Sequence, residues 1–129
     1  QEKPEDFVIA SGRSEKVRTF VEIAAKKLGW SDTPNGPSII WEGKGINEIG
    51  RRADTKEVVI KIDPRYFRPT EVEFLLGDSE KARKKLGWIP KITLEELIEE
   101  MIECDMREAE KNLILKNEGY NISESIESL

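Results

Sequence analysis

The sequence predicts a small α/β domain with short strands and about three helices. Short apolar runs bounded by turn residues indicate the strands, and apolar residues at helical spacing behind N-cap residues indicate the helices. The length of 129 residues suits one hydrophobic core. We therefore treat residues 1–129 as a single domain and expect the tail, 113–129, either to fray or to dock on a partner subunit.

The chain opens with a predicted strand, turn and helix. Phe7 to Ala10 form a continuous apolar run, as expected of a buried strand. Ser14 is a candidate N-cap for the helix, and Gly29 followed by Trp30 fits a Schellman ending. The connecting turn, 11–14, contains one glycine and lacks a dinucleotide fingerprint, so it is either a simple connection or a phosphate contact.

Two further short strands are predicted in the middle of the chain, at 38–42 and 57–63. Between them lies a charged segment, 46–57, with no clear periodicity. We expect it to be a solvated loop, with a lid over an anionic ligand or a subunit contact as the alternatives.

Two helices are predicted near the C-terminus. Asp78 is a candidate N-cap for a short helix over 79–86, which ends at Gly87. Thr93 and Glu96 form a capping-box pattern that opens the longest helix, over about 94–111.

Composition narrows the function classes. The net charge of −5 argues against a nucleic-acid partner, because phosphate backbones select basic surfaces. No apolar run approaches the ~20 residues of a membrane span, and no signal peptide is recognisable. One cysteine and no histidine argue against a disulfide, a cysteine cluster or a histidine-based metal site, so we expect no bound metal. The lack of disulfides also leads us to expect a cytoplasmic location.

The stretch from Ile60 to Gly77 contains the best candidate for ligand contact. Arg68 and Glu71 flank Pro69, whose ring restricts the backbone of this bend. A guanidinium can donate two parallel hydrogen bonds to a phosphate, and a carboxylate can accept from both hydroxyls of a ribose. This pattern fits a nucleotide sugar, although the two side chains could instead pair with each other.

Catalytic machinery is not recognisable in the sequence. It contains no glycine-rich dinucleotide loop, no Walker loop, no Tyr-x-x-x-Lys pair and, without histidine, no Ser/His/Asp triad. The residues by themselves therefore predict a binding domain without a catalytic set.

Several motifs, in order and spacing, resemble the C-terminal part of GDP-mannose 4,6-dehydratases, which are extended short-chain dehydrogenases/reductases. The most specific are Arg68-Pro-Thr-Glu-Val72, Gly77-Asp-x-x-Lys-Ala82 and Leu86-Gly-Trp88. The resemblance runs from about Pro4 through the long helix. Arg51 also matches a family position, without an assigned role.

The resemblance implies a lyase that binds NADP on an N-terminal Rossmann domain and converts GDP-mannose to GDP-4-keto-6-deoxymannose, a precursor of GDP-fucose. It implies that this chain is the small substrate-binding portion, with Arg68 facing the diphosphate and Glu71 the ribose of GDP. The Rossmann domain and the catalytic Thr/Glu/Tyr/Lys set lie upstream in the family and are absent here. We therefore expect the chain alone to be inactive and to bind no cofactor.

The partners implied by the resemblance are GDP-mannose or GDP, the missing Rossmann half and further copies in a homo-oligomer. Two alternatives remain open from the sequence. The chain could be a non-catalytic binding or assembly module derived from this family, or a fragment of a sibling nucleotide-sugar epimerase or reductase.

Overall fold

The computed structural model describes residues 1–68, 70 and 74–122. Within them it contains three α-helices and a three-stranded antiparallel sheet, which confirms the predicted α/β composition. In chain order these elements are α1 (Val17–Lys27), β1 (Ile39–Glu42), β2 (Ile49–Arg52), β3 (Val58–Lys61), α2 (Glu80–Leu86) and α3 (Leu94–Asn117).

Helix α1 begins later than expected but ends as expected. Its N-cap position is Lys16, without a capping side chain, so the prediction of Ser14 as the cap was wrong. At the other end, Trp30 N donates to Ala25 O and Gly29 N to Lys26 O. This is the Schellman hydrogen-bond pattern, and Gly29 supplies the positive φ of +74° that it needs.

The sheet contains a central strand, β2, in the segment predicted to be a loop. It pairs antiparallel with β1 and with β3, so that Trp41 lies opposite Gly50 and Gly50 opposite Ile60. A Cβ on Gly50 would lie 3.0–3.1 Å from atoms of Ile60 and Trp41. Because Gly50 has no side chain, Trp41 and Ile60 can pack over it from the neighbouring strands. Contacts of this kind leave no alternating apolar pattern in the sequence, so the strand was not predicted.

The apolar run Phe7–Ala10 is not a strand in the described structure, so that prediction was wrong. A strand requires a neighbouring backbone with which to pair. Among residues 1–68, 70 and 74–122, the backbone groups of 7–10 form no backbone–backbone hydrogen bond. The run instead lies beside Gly77, and Ser79 Oγ donates a 2.9 Å hydrogen bond to Ala10 O.

Of the two C-terminal helices, α3 starts at the signal found in the sequence and α2 starts one residue late. The N-cap position of α2 is Ser79, without a capping side chain, so the prediction of Asp78 as the cap was wrong, although Asp78 Oδ1 accepts from Glu80 N at 2.9 Å. The capping box is complete, with Glu96 N donating to Thr93 Oγ1 and Thr93 N to Glu96 Oε2. This contact with Thr93 lowers the pKa of Glu96. Helix α3 continues to Asn117, beyond the predicted end near 111.

The core includes the contact of α1 with α3, and also Ile39 of β1, Ala53 and Ala82. Polar contacts add to the attachment of the sheet to α1. Ile98 of α3 is completely buried, and Ala25 of α1 almost so. Trp41 Nε1 donates to Glu22 Oε1 at 2.9 Å, and the guanidinium of Arg18 lies 4.0 Å from the Trp41 ring centre. These contacts fix the sheet, and with it the end of β3, relative to the helices.

Candidate functional site

The chain leaves β3 through a turn that Asp63 fixes. Its carbonyl oxygen accepts from Tyr66 N at 3.1 Å. Its carboxylate accepts from Arg65 N at 2.8 Å and from the Arg65 guanidinium at 2.8 Å. An aspartate that binds the backbone two residues ahead is a common turn-forming device. The turn therefore sets the direction in which the chain approaches Arg68.

Charge also holds this turn together. The hydrogen bonds from Arg65 lower the pKa of Asp63 below its ordinary value of 3.8, and Asp63 in turn raises the pKa of Arg65. The Arg65 guanidinium is thus committed to Asp63, although both side chains lie at the surface.

Arg68 follows this turn and is exposed. Its neighbour Phe67 lies against a tight 3-10 turn, Gly45–Asn47, where a Cβ on Gly45 would be 4.0 Å from the Phe67 ring. The backbone also passes very close to itself at the start of this turn, because a Cβ on Gly43 would overlap the carbonyl oxygen of Asn47. The loop 43–47 therefore borders the segment that carries Arg68.

The far end of this loop is tied to α1. Arg18 Nη2 lies 2.6 Å from Glu48 Oε1, while the same guanidinium stacks on Trp41. Sequence reasoning missed this pair because thirty positions separate its members and no local pattern links them. Together with the Asp63 turn, it fixes the two segments that lie next to Arg68 along the chain and in space.

Arg51 has a structural position on the sheet. Its Nε donates to Glu42 Oε2 at 3.0 Å, and its Nη1 donates to Lys56 O at 3.1 Å. It thereby links β1 to the β2–β3 turn.

Comparison with known proteins identifies the family. The family model described as GDP-mannose 4,6 dehydratase matches residues 1–101. The chain belongs to the GDP-mannose 4,6-dehydratase family. A GDP-mannose 4,6-dehydratase of Yersinia enterocolitica is 43% identical over 138 residues, which cover 99% of this chain and 35% of the relative. A human GDP-mannose 4,6 dehydratase is 45% identical over 105 residues, covering 81% of this chain and 26% of the relative.

The chain therefore spans about a third, or less, of the length of these GDP-mannose 4,6-dehydratases. This share agrees with the C-terminal part implied by the sequence motifs. The matched range includes the Asp63 turn, Arg68 and the loop 43–47.

Of the two predicted ligand residues, the structure describes one. Arg68 lies on the surface beside the loop 43–47, and Glu71 and Pro69 fall outside the described residues. The roles of Arg68 and Glu71 remain predictions. In the part of the chain that is described, no group of three metal-ligating side chains comes together, and no helix has the length and apolar character to span a bilayer.

Substituting Asp63 should reveal the charge that holds the turn. We expect Asp63→Asn to destabilise the chain by a constant amount above about pH 5. The folded pKa is lowered, so the stabilisation is present above the ordinary value of 3.8 and disappears as pH falls through the folded pKa. Urea unfolding of the parent and of Asp63→Asn, measured from pH 7 to acid pH, would show whether the difference between their free energies of unfolding becomes smaller as the pH falls. The pH dependence should weaken in an Arg65→Ala background, and an unchanged dependence there would contradict the assignment to Arg65.

Proposed function

We propose that this chain is the nucleotide-sugar-binding portion of a GDP-mannose 4,6-dehydratase, a lyase that converts GDP-mannose to GDP-4-keto-6-deoxymannose. The family match over residues 1–101, which includes the Arg68–Glu71 motif, is the observation that carries the proposal. The relatives named above are described as dehydratases, which favours this function over that of a sibling epimerase or reductase.

Arg68 and Glu71 are the proposed ligand contacts. Arg68 is exposed, and it follows a turn whose direction Asp63 fixes through its backbone and side chain. A guanidinium delivered from such a turn suits the diphosphate of GDP, since its planar fork matches phosphate oxygens. Glu71 would accept hydrogen bonds from the ribose hydroxyls.

NADP belongs to the intact enzyme in this proposal, and the residues of this chain do not fit it. A dinucleotide pyrophosphate requires a glycine-rich turn before a helix. The turn proposed from the sequence, residues 11–14, has a single glycine, and a Cβ on Gly12 would lie 3.2 Å from Arg83 Nη2. We assign the cofactor and the hydride-transfer residues to the family portion that lies outside these 129 residues, in a cytoplasmic short-chain dehydrogenase/reductase.

A test requires the completed enzyme, in which this chain is joined to the part of the Yersinia enterocolitica relative that has no counterpart here. We expect Arg68→Ala to weaken GDP binding about 10- to 100-fold, as the loss of a charged hydrogen bond would. Its affinity for guanosine, which lacks phosphates, should stay the same. Titration calorimetry with both ligands measures the two effects separately.

Two controls make the result specific. Arg107→Ala removes an exposed arginine of α3 outside the family match and should leave both affinities unchanged. Glu71→Gln should weaken the binding of GDP and of guanosine equally. It should not weaken the binding of a 2′,3′-dideoxy analogue, which lacks the ribose hydroxyls. An Arg68→Ala enzyme that binds GDP as the parent does would refute the role of Arg68.

A further inference from the structure

An apolar groove runs between α1 and α3. Phe20 and Leu28 of α1 line one side of it and Met101 and Met106 of α3 the other, and its volume is about 350 Å³. The methionines are partly open to solvent, with Met101 43% and Met106 47% exposed. Methionine side chains are flexible and polarisable, so they adapt to apolar partners of irregular shape. The groove therefore suits an apolar segment of chain.

The chain turns back toward this groove after α3. Tyr120 N donates to Leu115 O across Gly119, whose φ is +84°, as in a Schellman ending. Beyond this turn, Ile122 is half-buried and lines a second cavity together with Ala109 of α3. Ala109 also lines the groove. The last described residue of the chain therefore lies next to one end of the groove.

Residues 123–129 lie outside the described residues, but their sequence continues an apolar face. Ile126 and Leu129 follow Ile122 by four and by seven positions, which is the spacing of one face of a helix. The other residues of this segment are serines and glutamates. The pattern is therefore amphipathic, and its apolar face begins with a side chain that already packs on α3.

The start of this pattern also carries a helix signal. Asn121 is followed three positions later by Glu124, as in a capping box, which favours a helix beginning at Ile122. An isolated helix of this length is not stable in water, so it requires an apolar surface on which to pack.

The groove and the segment match in length. A helix that runs back along α3 from Ile122 rises about 1.5 Å per residue, as α3 itself does. Ile126 would therefore lie near Met106, and Leu129 near Ile102. Both of these α3 residues line the groove.

We propose that residues 123–129 dock in the groove between α1 and α3, where Ile126 and Leu129 cover the apolar walls. The occupant is this segment because Ile122, to which it is joined, already lies against the same helix. A short link gives the segment an effective concentration of about 1 mM at the groove, an advantage that a second copy in dilute solution does not have. The docking concerns the chain's own folding and does not depend on GDP binding.

The two methionines of the chain provide a direct test, because both line the groove. The experiment uses the full chain with labelled methionine, isoleucine and leucine methyl groups. We expect nuclear Overhauser effects from the Met101 and Met106 methyls to those of Ile126 and Leu129. The backbone amides of 123–129 should have order parameters of about 0.8, whereas those of a free segment would lie below about 0.6.

One substitution in the segment and its matched control make the test specific. Ile126→Ser should lower the order parameters of the segment below about 0.6. It should also shift the methionine methyl resonances to their positions in a chain shortened to end at Ile122. Glu127→Ser introduces the same residue one position further on, off the apolar face, and should leave the docking intact.

A second pair of variants tests the groove itself. Met106→Glu places a charge in the apolar contact and should release the segment, while Met106→Leu keeps the apolar character and should retain it. Met101 still reports on the groove in both variants. Because Met106 is partly exposed, both variants should give the parent's far-ultraviolet circular dichroism spectrum.

Three results would overturn the proposal. The first is low order parameters for 123–129 in the parent, with methionine resonances that do not change when the segment is removed. The second is an equal loss of order in Glu127→Ser and Ile126→Ser. The third comes from mixing chains labelled only at methionine with chains labelled only at isoleucine and leucine. Overhauser effects between these two populations would show that a second copy occupies the groove.

Discussion

Replacing Ile98 with alanine is expected to lower the free energy of unfolding by about 2–5 kcal/mol. Ile98 is completely buried on α3, where that helix packs against α1. Its neighbours Phe20, Leu28 and Met101 are apolar, and because such neighbours relax only partly into the space of a truncated side chain, a cavity should remain. Urea unfolding followed by far-ultraviolet circular dichroism would measure the loss.

Leu97→Ala is the control for this substitution. Leu97 is the preceding residue of the same helix but is 44% exposed, so its truncation should cost much less. Equal losses at the two positions would contradict the placement of the core between α1 and α3.

Gly43→Ala is the second substitution with a large expected effect, about 2–4 kcal/mol of stability. Gly43 has a φ of +81°, and a Cβ there would overlap the Asn47 carbonyl. The substitution thus adds a backbone clash to a strained conformation, and the turn that borders Phe67 would have to open. Thermal unfolding of the chain would show the loss, and GDP titration of the completed enzyme would show whether the opened turn affects binding.

Gly29→Ala separates the two causes. Gly29 has a similar φ of +74°, but a Cβ there would meet nothing within 4 Å. Its substitution should cost only about 1 kcal/mol, the conformational part of the effect. If Gly43→Ala were no worse than Gly29→Ala, the close approach of the chain at Asn47 would be wrong.

The elements predicted correctly are those with signals that lie close together in the sequence. The Thr93–Glu96 capping box and the Gly29–Trp30 helix ending each involve a few neighbouring residues, and both form as expected. Strand β2 was missed because the room that Gly50 leaves for Trp41 and Ile60 is determined across strands. The run at 7–10 was predicted to be a strand because it is apolar, but a strand also needs a paired backbone, and the described residues do not supply one.

The candidate site shows the same division. Arg68 could be singled out because its chemistry and its neighbouring proline are local features. The Arg18–Glu48 pair that fixes the loop beside it depends on the packing of α1 against the sheet, which no spacing along the chain reveals. The Asp63 turn could have been found, because aspartate two residues before its backbone partner is a recognised turn signal.

The family match ends at Met101, whereas α3 runs unbroken to Asn117. About two turns of this helix thus lie within the range that the family model matches, and a helix of that length is not stable by itself. The later turns, closed by the hydrogen bond from Tyr120 N to Leu115 O, supply the cooperative length that keeps Ile98 helical. Sequence beyond the matched range, with which the Yersinia enterocolitica relative still aligns, therefore helps to maintain a core residue that lies inside that range.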